Sequence, residues 1–340
     1  WLGAQVLILD EPTTGISSLQ KIKLFETLRK LAAQGKTIIF VSHKLEDVEQ
    51  LCHRVAVLRR GQLVGEATPP YQMDDLVQMM FGKVVSFGGR ESYKPGEIAL
   101  ELKGVSIEDY RMRIGPVNLQ ARKREVIGLA GMEGSGQLLF LRACAGLIRP
   151  TAGRMVVNGK DLTGKSYHAF LKNGVVYMPA SRMEEGLVPG CSLMEHFVLA
   201  RDQAGFFVDW DGAKKTARDQ IAAYNIHGRP DSTVESLSGG NQQRALLALM
   251  RTPASLILME HPTRGLDIES TLYIWSLLKG RCSDQDSAIL FISSDLDEIL
   301  QYSDRILVFF AGRVSPALDA ASISVDQLGQ LIGGRGWDAF

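Results

Sequence analysis

The 340-residue sequence has no apolar run close to the ~20 residues a membrane-spanning helix needs, so at any membrane the expectation is a peripheral role. It also has no excess of either charge. With 38 Lys and Arg against 38 Asp and Glu, a nucleic-acid polyanion is not an expected partner. Cysteine is scarce: Cys52, Cys144, Cys191 and Cys282 are widely scattered, without the paired spacing of a metal site, and read as reduced cytosolic thiols. Cys52-His53 is a Cys/His neighbour pair with no second pair to complete a ligand set. What remains is 45% apolar residues and 34 glycines, a composition that fits an α/β protein of about two domains.

The most informative stretch is residues 235–243, Glu-Ser-Leu-Ser-Gly-Gly-Asn-Gln-Gln, which runs into the apolar residues 245–250. Ser238, Gly239 and Gly240 open a helix without a bulky side chain. Free N-H groups and the positive end of the helix dipole point outward there, which suits a phosphate-sized anion. Alone, Ser-Gly-Gly reads as a Ser N-cap on a flexible loop. Its context adds a helix stop at Thr252-Pro253, a buried strand over 256–259, and the sequence Glu260-His261-Pro262-Thr263.

That last strand occurs twice. Residues 4–15, with Asp10-Glu11-Pro12-Thr13, return as residues 254–265, with Pro12 and Pro262 250 positions apart. Residues 38–43, ending in Ser42-His43, return as 288–294, and the turn Arg60-Gly61 returns as Ala311-Gly312. The second copy has a further ~150 residues ahead of its repeated strand, about one domain's share. With Trp1 already close to a core strand, the expectation is a fragment whose first copy is truncated.

In chain order, 6–9 reads as a central parallel strand, 18–34 as a helix stopping at Gly35, 37–41 as a strand, 45–51 as a helix, and 55–65 as a hairpin. This alternation predicts doubly wound or P-loop type sheets. The expected divisions are 1–67 for the first domain, 68–96 for a linker, 97–318 for the second domain and 319–340 for a tail.

In the second copy, the apolar strand 126–130 leads to Gly131-Met132-Glu133-Gly134-Ser135-Gly136-Gln137-Leu138 and then an apolar helix. The position suits a phosphate-binding loop in which backbone N-H groups cradle phosphates, a Lys reaches the terminal phosphates and a hydroxyl ligates Mg²⁺. Gln137 stands in the Lys position and Leu138 in the hydroxyl position. Ala180, in Tyr177-Met178-Pro179-Ala180, can neither ligate a metal nor orient a water. Glu260 supplies a carboxylate, but His261 follows it where a general base would stand, and Ser294 stands where the first copy has His43. In the first copy Asp10 is the candidate Mg²⁺ carboxylate, Glu11 the candidate base orienting the attacking water, and His43 the candidate γ-phosphate contact.

These motifs resemble those of ATP-binding cassette (ABC) ATPases: a signature LSGGNQQ, a Walker B strand before Glu260 and Asp10, and a degenerate Walker A loop. The resemblance covers nearly the whole chain and implies an α/β fold of P-loop NTPase domains, one truncated and one complete. It implies ATP and Mg²⁺ as cofactors, and head-to-tail cassettes in which Asp10, Glu11 and His43 would face Ser238, Gly239, Gly240 and the adjoining Gln242. Gly131, Glu133, Gly134, Ser135, Gly136 and Gln137 would form the degenerate site. Ser17 departs from the pattern, since the family usually carries Asp there, as at Asp267. The tandem repeat and Arg182-Met183-Glu184-Glu185-Gly186-Leu187-Val188 look like double-cassette ATPases of bacterial importers for simple sugars and nucleosides. Such proteins sit at the cytoplasmic face of the inner membrane on transmembrane permease subunits, served indirectly by an extracytoplasmic substrate-binding protein. Transport ATPase activity is then expected of the full-length protein, with little turnover by this chain alone. The alternatives are a regulatory pseudo-ATPase fragment that binds nucleotide or partner without turnover, and a soluble tandem ABC protein acting on ribosomes. The short, mildly charged 68–95 stretch argues against the last.

Overall fold

The computed structural model describes residues 3–13, 18–42, 45–59, 61–81, 95–200 and 207–339. The chain divides into two compact units, Trp1–Glu91 and Ser92–Phe340. The division falls inside the stretch 68–96 that composition marks as a linker.

In the first unit, β1 (Val6–Asp10) and β2 (Thr37–Val41) pair in parallel, with Val6 opposite Thr37 and Asp10 opposite Val41. Between them runs α1 (Ser18–Ala33), which buries Phe25 and Leu28 three residues apart on one face. Then come α2 (Leu45–Leu51), the antiparallel hairpin β3 (Val55–Arg59) and β4 (Gln62–Ala67), and α3 (Met73–Phe81). The helix α3 lies within the stretch read as linker, yet it belongs to this unit's core. Its Leu76 joins Val57 and Tyr71 in a buried cluster, with Met79 and Met80 packed at i+3 and i+4.

The β1–β2 pair leaves Val6, Ile8, Ile39 and Val41 exposed, Ile8 by 66%. Exposed apolar strand residues promote association. We expect the double substitution Ile8→Thr and Ile39→Thr, which keeps β-branched side chains, to raise the soluble fraction of this chain severalfold. Sedimentation and size-exclusion chromatography measure it.

The second unit begins with β5 (Ile98–Glu108), β6 (Arg113–Arg122), β7 (Val126–Gly131), α4 (Gln137–Cys144), β8 (Ala152–Val157), β9 (Lys160–Asp161), α5 (Tyr167–Lys172) and β10 (Val175–Met178). A π-helical turn (Arg182–Gly186), α6 (Leu193–Leu199), α7 (Trp210–Ala223), α8 (Gly239–Leu249) and β11 (Leu256–Glu260) follow. The chain finishes with α9 (Ile268–Asp284), β12 (Ala288–Ile292), α10 (Leu296–Tyr302), β13 (Arg305–Phe310), β14 (Arg313–Val314), β15 (Leu318–Asp319) and α11 (Val325–Ile332).

Its main sheet has the order β10-β11-β12-β7-β13-β14, parallel from β10 to β13, with β15 pairing β13. A second sheet, β6-β5-β8-β9, is antiparallel. The continuous apolar strands of the sequence are explained by burial on both sheet faces. Along β11, Leu256 and Leu258 enter one core cluster while Ile257 and Met259 enter the other. The same alternation divides Ile127 and Leu129 of β7 from Val126 and Ala130. Phe140, Leu141 and Ala143 of α4 pack on the face shared with the second sheet, and α8, α9 and α10 cover the opposite face.

Part of the stretch 319–340, read as a tail, packs into the core. Leu328 and Leu331 of α11 are buried with Trp337, whose indole N-H donates to the Leu331 carbonyl at 2.8 Å.

Candidate functional site

The loop after β7 reverses direction through Gly134 (φ +82°) and Gly136 (φ +114°). A side chain at Gly136 would meet Ile114, with an ideal Cβ 2.7 Å from Ile114 Cδ1. A glycine-turned loop thus stands immediately before α4, in the place where a phosphate cradle is expected. Its side chains are arranged differently from a phosphate clamp. Gln137 is buried, lies over Gly131 and donates from Nε2 to the Met132 carbonyl at 3.2 Å. The amide closes the loop on itself rather than projecting outward as a Lys would. Leu138, 44% exposed, presents methyl groups where a metal-binding hydroxyl is expected.

Glu260 ends β11 almost fully buried, at 4% exposure. Its Oε1 accepts from Arg142 Nε at 3.2 Å and from the Tyr177 hydroxyl, and its Oε2 accepts from the Ala180 N-H at 3.2 Å. Arg142 also donates to the Tyr177 hydroxyl at 3.1 Å and, from Nη2, to both oxygens of Glu185 at 3.0 Å. Burial draws the Arg142 pKa down, but Glu260 and Glu185 outweigh it and the net direction is up. Mg²⁺ requires about six oxygen ligands at about 2.0–2.1 Å in near-octahedral geometry. Here Leu138 and Ala180 offer no side-chain oxygen, and both oxygens of Glu260 are already engaged. The donor set does not fit Mg²⁺.

His261 follows with a left-handed backbone, φ 44°, its N-H donating to the Ile292 carbonyl at 2.8 Å. Burial and the neighbouring Arg264 lower its pKa, against an opposing pull from Glu133.

The signature residues stand at the start of α8. Ser238 is the exposed, extended N-cap, and its hydroxyl receives the Asn241 amide at 2.9 Å. Gln242 braces the preceding turn by donating to the Val234 and Leu237 carbonyls at 3.1 and 3.3 Å. Arg182, from the π-helical turn, donates to the Gly239 carbonyl at 2.9 Å. Burial and Arg264 together lower the Arg182 pKa. In the sequence Arg182 stands out only as part of a family motif, with nothing to announce this contact.

In the first unit, Asp10 is exposed at the end of β1, and Glu11 has φ 48° with its N-H bonded to the Val41 carbonyl at 2.9 Å. Glu11 and His261 thus share one backbone geometry at equivalent places of the repeat. His43 and Ser17 lie outside the described residues. Another equivalence had no motif to announce it. The Thr13 hydroxyl donates to buried Asp47 at 2.6 Å, with Lys21 also paired to Asp47, and Thr263 donates likewise to buried Glu298. Glu298 further accepts from the Trp275 indole at 2.7 Å and from the Ser293 hydroxyl.

Burial raises the Glu298 pKa despite these three donors. A raised carboxyl pKa contributes stability that is present below the unfolded-state value and is lost as pH rises through the folded value. We expect Glu298→Gln to flatten the stability profile from the ordinary carboxylate range upward. Thermal unfolding of both proteins between about pH 4 and 7 checks it: the wild-type-minus-variant difference should fall with rising pH.

A glycine-turned loop between a central parallel strand and a helix, with an acidic residue closing the strand two places along the same sheet, defines a P-loop type nucleotide-binding fold. The ABC transporter family pattern matches residues 114–264. The ribose import ATP-binding protein RbsA 1 of Rubrobacter xylanophilus is 33% identical over 335 residues, covering 96% of this chain and 66% of that protein. The nucleoside import ATP-binding protein NupA of Lactococcus lactis is 31% identical over 350 residues, covering 98% of this chain and 68% of that protein. The chain therefore spans about two thirds of the length of these relatives. In fold it is similar to an ATP-binding cassette solved as a dimer in a post-hydrolysis state with ADP and Pi, at TM-score 0.56 and 20% identity over 66% of this chain and all of that one. The chain belongs to the ABC transporter ATP-binding family, whose cassettes bind ATP with Mg²⁺.

Proposed function

We propose that this chain is part of the ATP-binding and ATP-hydrolysing subunit of a bacterial ABC importer for simple sugars or nucleosides, built from two related cassette units of unequal chemistry. The unequal carboxylates carry this reading: Glu260 is held by Arg142, Tyr177 and the Ala180 N-H, whereas Asp10 is exposed at a strand end with Glu11 beside it. The repeated backbone geometry at Glu11 and His261, and the repeated Thr-to-carboxylate bond, support a tandem origin. Asp10 would hold a hydrated Mg²⁺, which would neutralise phosphate charge; Glu11 would take the proton of the water that attacks the γ-phosphate, with ADP as the leaving group, and His43 would contact the γ-phosphate.

Ser238, Gly239 and Gly240, braced by Gln242, contact ATP held by another cassette. Gly131, Glu133, Gly134, Ser135, Gly136 and Gln137 form a loop that binds nucleotide without efficient turnover, so the second unit acts as a regulatory pseudo-ATPase. The named roles of the ribose and nucleoside relatives support the importer assignment. Among the described residues no helix is long and apolar enough to cross a membrane. The subunit docks on transmembrane permease partners at the cytoplasmic membrane face, with a substrate-binding protein outside. An open cleft of about 610 Å³, lined by Arg142, Tyr177, Glu185, Leu246 and Met250 among others, is available in the second unit for such docking. The paired substitutions Glu11→Gln and His261→Gln in the full-length transporter, read by phosphate release, test the assignment.

A further inference from the structure

We propose that Arg142 takes the place of a divalent cation at Glu260, so that the second unit holds nucleotide without a metal ion. This rests on the reading of that unit as a nucleotide-binding cassette.

Arg142 lies four residues after Leu138 on α4, so the two side chains leave the same helix face about one turn apart, about 6 Å along the axis. The guanidinium is thereby brought beside the strand end where the Walker carboxylate stands, and it contacts that carboxylate directly. Glu260 is buried, and a buried carboxylate needs a compensating charge and filled acceptors. Arg142 supplies the charge, while Tyr177 and the Ala180 N-H complete the acceptors. Glu185 is the more exposed of the two carboxylates, so solvent screens it. Both of its oxygens accept from the single nitrogen Nη2, which orients the guanidinium toward Glu260.

An incoming divalent ion would have to expel this cation from its contact with a buried carboxylate. It would then find methyl groups at Leu138 and Ala180 in place of oxygen ligands. Arg142 also stays charged at every working pH. The positive charge at Glu260 is permanent, and does not depend on the free metal concentration.

Two measurements on the full-length protein test this, with Mn²⁺ as the spin probe and 8-azido-ATP as the nucleotide probe. Bound Mn²⁺ is counted by the loss of its free electron paramagnetic resonance signal. With side-chain oxygens supplied by Leu138→Ser and Ala180→Gln, adding Arg142→Gln is expected to bind one more Mn²⁺ per chain than that double variant, and Glu260→Gln in the wild-type background no fewer than wild type. A drop on Glu260→Gln alone means that a metal already sits there and overturns the proposal. So does a folded triple variant with no gain over the double. If the triple variant does not fold, the Glu260→Gln count decides in either direction.

Photolabelling of the second unit by 8-azido-ATP, mapped by mass spectrometry and counted outside the signature residues 235–243, is expected to agree within threefold between Mg²⁺ and EDTA. A larger increase in Mg²⁺ overturns the proposal. Absence of labelling in both conditions removes the nucleotide-binding reading itself, and the Mn²⁺ counts still decide what occupies Glu260.

Discussion

Glu11→Gln lowers steady-state ATP hydrolysis by the full-length transporter by 10² to 10⁴, the usual range for loss of a general base, while His261→Gln leaves it within about twofold. This is the expected result of two units that share a backbone and differ in chemistry. Both residues follow a strand-end carboxylate, both adopt left-handed φ (48° and 44°), and both donate their N-H to the neighbouring strand. Glutamine is close in shape to glutamate but cannot take a proton, so Glu11→Gln removes chemistry and leaves the turn in place. At His261 there is less to remove. The preceding carboxylate is bound to Arg142, the loop glutamine is bonded to Met132, and Leu138 has no hydroxyl. Phosphate release measured on transporter reconstituted with its permease distinguishes the two. Equal losses in both variants contradict the asymmetric account.

Trp275→Ala destabilises the second unit by about 3 to 5 kcal/mol, the range for truncating a large buried aromatic. Trp275 is 1% exposed, stacks on Tyr302 at 4.2 Å between centroids and 5° between planes, and meets Phe291 edge-on at 4.8 Å. Truncation also removes one of the donors on buried Glu298. Trp275→Phe keeps most of the packing and loses only that donor, so it should cost about 1 to 2 kcal/mol. Equilibrium chemical denaturation ranks the three proteins. If Phe and Ala substitutions cost the same, the indole hydrogen bond, not packing, holds α9 to α10.

The central strands, the loop over residues 131–138 and the signature helix were legible in the sequence because each has a local cause. Buried parallel strands are continuously apolar, tight turns need glycine, and the repeat displays the same apolar-acidic-Pro-Thr pattern twice. The contacts that decide the chemistry of the second unit were not legible. Arg142 reads as one basic residue in an apolar helix. Its pairing with Glu260 spans 118 positions and depends on how α4 crosses the strand ends. A helical-wheel comparison with Leu138 offered the available clue, since residues four apart share a face. Asp47 and Glu298 escaped for a similar reason: each is one acid in a polar helix start, and only alignment of the two copies puts both opposite the Pro-Thr threonine. The contribution of α3 and α11 to their cores was hidden by weak patterns at places where composition suggested linker and tail.

The central claim is that the second unit's loop does not hold a nucleotide undergoing turnover, whereas its signature does contact one. Vanadate traps the post-hydrolysis state by occupying the γ-phosphate position, and ultraviolet light then cleaves backbone beside it. In the working full-length transporter, mass spectrometry should find cleavage at residues 238–240 and none within 131–138. Cleavage within 131–138 would contradict the account.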